Sequence, residues 1–123
     1  MNKIASQAAA LILCSLIAGS SLAASYDCAK ASTWVEQAIC DSPQLSELDS
    51  ELGEQYLDLR RQAKRLDQVR YRRLQREQKA WLRTRNRCTN LTCLYDLYQQ
   101  RIGELEDLYA ALCVVPRGVS PCW

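Results

Sequence analysis

The sequence predicts an all-α fold: a small disulfide-bonded bundle of three long helices preceded by a short one. Three observations predict it. Apolar residues recur at spacings of three and four along three separate segments, as on the buried face of an α-helix. No segment alternates apolar and polar residues long enough to make a strand, and Gly and Pro are scarce until the C-terminal tail. Seven Cys among 123 residues point to disulfides and an oxidising compartment.

Residues 1–23 read as a secretory signal peptide. Lys3 supplies the positive start, Ile4 to Gly19 is mostly apolar, and Ser21-Leu22-Ala23 fits cleavage after Ala23. The alternative of a membrane anchor fails on length, because Ser6, Gln7 and Ser15 interrupt a stretch short of the ~20 residues a span needs. Lipid attachment at Cys14 fails on the bulky Leu13 before it. The expected mature chain, 24–123, is periplasmic or secreted and has no transmembrane segment. It divides into a helical domain, 24–112, and a tail, 113–123.

A short helix is expected from Ser32 to Cys40, capped by Ser32 or Thr33, with Glu36 near its positive dipole end. The first long helix, 44–66, carries Leu45, Leu48, Leu52, Tyr56, Leu59, Ala63 and Leu66 on one face. Ser42 is its cap and Pro43 its first residue, where a missing N–H costs nothing. The second, 67–87, has a thinner stripe through Tyr71, Leu74, Gln78, Trp81 and Cys88, with Gln78 where an apolar residue is expected. No Gly or Pro marks the corner between Leu66 and Asp67. The third helix follows Asn90 as cap and carries Leu91, Leu94, Tyr98, Ile102, Leu105, Tyr109 and Leu112.

Six mature cysteines fit an up-down-up layout. Cys113 and Cys122 lie at one end and are expected to pair. Cys28, Cys40, Cys88 and Cys93 lie at the other, where three pairings are open. Cross-links between the N-terminal segment and the 88–93 turn are preferred over two local bridges, because they would tie the short helix down. Zinc would want C-x-x-C pairs, which these spacings lack, so no metal is expected.

The absence of His removes imidazole bases and the catalytic triads that use them. No nucleophile stands beside a base and no Gly-rich phosphate loop exists, so neither an enzyme nor a cofactor is expected. Charge is divided along the chain. From Asp27 to Asp58 eight acidic residues face one basic residue; from Arg60 to Arg87 twelve basic residues face two acidic ones. The Arg-rich segment could bind an anionic envelope lipid or polymer, or be a plain solvated face. Nucleic acid is not expected, since no aromatic residues beyond Tyr71 alternate with these charges.

Asp27-Cys28-Ala29-Lys30-Ala31-Ser32-Thr33, Glu36 and Ala38-Ile39-Cys40 resemble the opening of the lysozyme-inhibitor LprI-like N-terminal domain family. The resemblance continues through Leu48-Asp49, Tyr56, Gln78, Trp81-Leu82, Arg85 and Cys88, then Cys93-Leu94, Tyr98, Arg101-Ile102 and Leu105. It covers 27–106, and Asn86 departs from it where Asp is common. It implies a secreted, disulfide-bonded helical domain that inhibits lysozyme. Such a partner is strongly basic, so the expected contact surface is acidic: Asp41, Glu47, Asp49, Glu51 and Glu54. The alternatives are a module binding anionic envelope lipid or polymer, and a structural protein without a ligand. Trp81, Gln78 and Arg85 share one helix face; the reading preferred over a ligand pocket is core packing. An ion pair between Glu36 and Arg85 is expected across the disulfide end.

Overall fold

The computed structural model describes residues 25–113 and 121–122. The expected signal peptide lies outside the described residues, as does most of the C-terminal tail. A 3-10 turn, Cys28–Lys30, leads into α1 (Trp34–Asp41), α2 (Pro43–Leu66), α3 (Gln68–Arg85) and α4 (Leu91–Cys113). Among the described residues there is no strand, and the all-α expectation holds.

Each helix begins on a side chain that accepts its orphan N–H groups. Thr33 Oγ1 accepts the Glu36 amide while the Glu36 carboxylate returns to Thr33 N, a complete capping box. Ser42 ends α1 and caps α2, with Pro43 behind it. Asp67 does the same at the unmarked corner. Its N–H closes α2 on the Ala63 carbonyl, and its Oδ1 accepts from Val69 and Arg70, both at 3.0 Å. One extended residue, φ −152°, thus makes a tight turn without glycine. Asn90 Oδ1 accepts the Cys93 amide at 2.9 Å to start α4.

Helix α2 packs against α1, α3 and α4, and the core forms along it. Ile39, Leu45 and Leu94 have no exposed surface, and Leu52, Leu59, Leu74 and Leu105 are almost fully buried. Burying each such side chain stabilises the fold by about 1.5–3 kcal/mol. The stripes fray at their ends: Leu66, Leu91 and Tyr109 are exposed.

The disulfides correct one expectation. Cys113 pairs with Cys122, while the remaining four make two local bridges, Cys28–Cys40 and Cys88–Cys93. The N-terminal segment runs back along α1, where Tyr26 Oη donates to the Glu36 carbonyl at 2.9 Å, and this sets Cys28 against Cys40 with Cα atoms 5.8 Å apart. The short helix needs no covalent tie to the 88–93 turn. Val35 and Ile39 anchor it in the core, and Ser46 Oγ donates to the Ile39 carbonyl at 2.7 Å. Closing loops of 12, 5 and 9 residues contributes about 2–3 kcal/mol each.

Proteolysis of the unreduced protein followed by mass spectrometry will release Cys28–Cys40 and Cys88–Cys93 as separate linked peptides. A peptide joining the two pairs would refute this arrangement. Asp67→Ala will cost about 1 kcal/mol, a fall in Tm of roughly 4–8 °C by circular dichroism.

Candidate functional site

Three helices and the N-terminal segment converge on one buried carboxylate. Asp49, in the second turn of α2, is 3% exposed. Its Oδ2 accepts from Ser25 N at 2.7 Å and Ser25 Oγ at 2.6 Å. Its Oδ1 accepts from Tyr98 Oη of α4 at 2.5 Å and faces Arg85 Nη1, the last residue of α3, at 3.5 Å. Arg85 Nη1 also donates to Tyr98 Oη at 3.2 Å, and its Nε and Nη2 donate to Asn86 Oδ1 at 3.1 and 2.9 Å. Asn86 therefore serves the guanidinium without adding a charge, and the cluster holds one anion and one cation.

Trp81 completes the packing. Its ring meets Tyr98 edge-on at 5.1 Å, the Arg85 guanidinium lies 5.7 Å from its centroid, and Nε1 donates to the Leu97 carbonyl at 3.2 Å. Burial, and then the Asp49 charge, push the Tyr98 hydroxyl well above the ordinary phenol range. The same two causes, in the same order, raise Tyr26 to about 12.

This overturns two expectations. Asp49 faces the interior and offers no surface to a partner. Glu36 does not reach Arg85: its carboxylate accepts from the Ser32 and Thr33 amides at 2.8 and 3.1 Å, and those bonds hold it below the usual carboxylate range. The unexpected Gln78 also has its reason. Its Oε1 accepts from Arg101 Nε at 3.1 Å, and Arg101 Nη1 donates to Glu104 at 2.9 Å, so Gln78 meets a buried guanidinium whose Nη2 is left without a partner among the described residues. The α2 register carried the missed signal. Asp49 stands four residues after Leu45 and three before Leu52, on the apolar stripe, where a carboxylate must find partners.

The other acidic residues stay outside. Asp41, Glu47, Glu51 and Glu54 are exposed, and the three glutamates follow one another along the outer face of α2. The row leads toward a groove between α2 and α4 of about 320 Å³, lined by Gln55, Asp58, Leu105, Glu106, Tyr109 and Ala110. Its charged groups are carboxylates, and Gln55 Oε1 is buried with no hydrogen-bond partner among the described residues. Such a face attracts cationic side chains. Among the described residues no helix is long and apolar enough to cross a membrane.

Arg85→Ala will destabilise the protein by about 3–5 kcal/mol in denaturant unfolding, because Asp49 is left buried without its cation. The stability contributed by Tyr26 and Tyr98 will be full below pH 10 and fall as pH rises through 10 toward 12. The unfolded tyrosines ionise first, while folded Tyr26 and Tyr98 keep their protons. Tyr98→Phe will flatten that alkaline slope.

No curated protein and no solved structure matches the chain. A match does come from the family described as Lysozyme inhibitor LprI, over residues 27–114, a span that holds α1 to α4 and all of the buried cluster except Ser25 and Tyr26. The chain belongs to the lysozyme inhibitor LprI family.

Proposed function

We propose that this protein acts outside the cytoplasm as a non-enzymatic inhibitor of a basic cell-wall hydrolase of the lysozyme type, binding through the acidic face of α2. The observation that carries the reading is the row of exposed carboxylates Glu47, Glu51 and Glu54, beside Asp41, in a chain of this family. Opposite charge on two surfaces speeds encounter and fixes their orientation. Glu106 and Tyr109 of the adjoining groove offer a Lys or Arg side chain a carboxylate and an aromatic face, beside Asp58, which Arg61 Nη2 meets at 3.0 Å. Three disulfides, which persist where thiols are oxidised, support a site of action beyond the cytoplasm. Cleavage of residues 1–23 and export belong to the same reading.

The oxidised chain from Ala24 onward, titrated into an animal-type lysozyme lysing bacterial cell walls, will inhibit it stoichiometrically. Neutralising Asp41, Glu47, Glu51 and Glu54 together will weaken inhibition by at least about fourfold, at roughly 0.2–1 kcal/mol per surface pair. No inhibition at large molar excess would remove this enzyme class as the target. Inhibition untouched by the four changes would move the contact away from α2.

A further inference from the structure

The opposite end of the bundle carries a different surface. There α2 turns into α3 at Asp67, and the last turns of α4 lie alongside: Arg70 Nη1 donates to the Ala111 carbonyl at 3.1 Å. The disulfide-closed tail returns to the same end, where Gln62 and Arg65 donate to the Cys122 and Pro121 carbonyls. Residues 58–77 and 106–113 together hold eight cationic side chains against five carboxylates, a net charge of +3, with Arg61 and Arg73 paired to Asp58 and Glu77.

Helix stability does not account for this charge. Cations near the end of α2 suit its dipole, but Arg70, Arg72 and Arg73 stand at the start of α3, where the positive dipole end disfavours them. Asp67 is held by the turn and by Arg70 Nε at 3.2 Å, which leaves Lys64, Arg72 and Arg76 as the cations nearest the corner with no carboxylate partner among the described residues. At the corner itself two apolar side chains project into solvent, Leu66 at 39% and Val69 at 72% exposed, the latter the most exposed large apolar residue of those described. Apolar tips ringed by Lys and Arg suit one partner: a bilayer surface with anionic headgroups, where the cations meet lipid phosphates and the tips enter the acyl boundary. A soluble polyanion would use the cations and leave Leu66 and Val69 idle.

We infer that the α2–α3 corner is a docking surface for anionic lipid bilayers, with Leu66 and Val69 inserting between headgroups held by Lys64, Arg72 and Arg76. Leu66 and Val69 lie away from the row Glu47, Glu51 and Glu54, while Glu106 and Tyr109 of the groove border this same end. The 24 residues of α2 span about 36 Å, so a corner seated on a bilayer holds Glu47 and Asp41 out in the aqueous phase.

The test is co-sedimentation of the oxidised chain from Ala24 onward with vesicles of phosphatidylethanolamine and phosphatidylglycerol, against vesicles of phosphatidylcholine alone. Binding to the anionic vesicles, weakening as salt rises, is the expected result. Neutralising Lys64, Arg72 and Arg76 to Gln will reduce partitioning on the order of fivefold per charge. Leu66→Ser with Val69→Ser will reduce it further at unchanged charge. A Val69→Trp variant will show a blue-shifted emission on the anionic vesicles, a readout that folding alone does not produce. The exposure of all five positions keeps these variants folded, checked by circular dichroism. Absence of binding at low salt overturns the proposal. So does a charge-dependent affinity that the two serine changes leave untouched, which would mark a polyanion surface instead.

Discussion

The carboxylate of Asp49 is the group on which the packing of this bundle depends. It lies inside, and a buried charge is tolerated only where other groups replace its water. Here they come from four parts of the chain: the Ser25 amide and hydroxyl, the Tyr98 hydroxyl and the Arg85 guanidinium. Each partner fixes the position of the element that carries it. Sliding α3 by one turn along α2 would remove the cation from Asp49, and a rotation of α4 would withdraw Tyr98. A buried pair of this kind adds little to net stability over an apolar replacement, yet it makes misregistered packing costly. The N-terminal segment is drawn in by the same group. Gly53, one turn beyond Asp49, leaves room for it: a Cβ there would meet Ser25 Cβ at 3.1 Å.

The three disulfides work at the margins of this arrangement. Each closes a short loop, at the N-terminal segment, at the α3–α4 turn or at the tail, and none joins one long helix to another. Long-range order among the helices therefore comes from the apolar stripes and from the polar contacts between them, Asp49–Arg85–Tyr98 near one end and Gln78–Arg101 further along. The division of labour suits a small domain. Its core is limited, so the ends that would fray are held covalently while the centre is held by packing.

The match to the lysozyme inhibitor LprI family covers residues 27–114, and the residues that carry the resemblance in the sequence mostly build this framework. Cysteines, Trp81, Arg85, Tyr98 and Gln78 face inward or hold turns, and they explain why the fold recurs better than they explain what it binds. What the protein meets is set by the side chains left outside. The acidic row begins near the start of α2, and the basic corner lies at its end.

Much of this was legible in the residue order. The three- and four-residue spacings set the helices, and Ser42 and Asn90 marked two of their starts, with Ser32 or Thr33 marking the first, because periodicity and capping are local properties. The pairing of Cys113 with Cys122 followed from an up-down-up layout with a single pair left at that end. Tertiary structure decided what depends on residues distant in sequence. Arg85 finds Asp49 across 36 residues and Tyr98 finds it across 49. The register of Asp49 on the apolar stripe marks it as the carboxylate that turns inward, but no local pattern names the distant residues that meet it. The acidic run 47–54 disguised Asp49 as one more surface charge, and the path of the N-terminal segment along α1, itself a tertiary feature, chose the partner of Cys28.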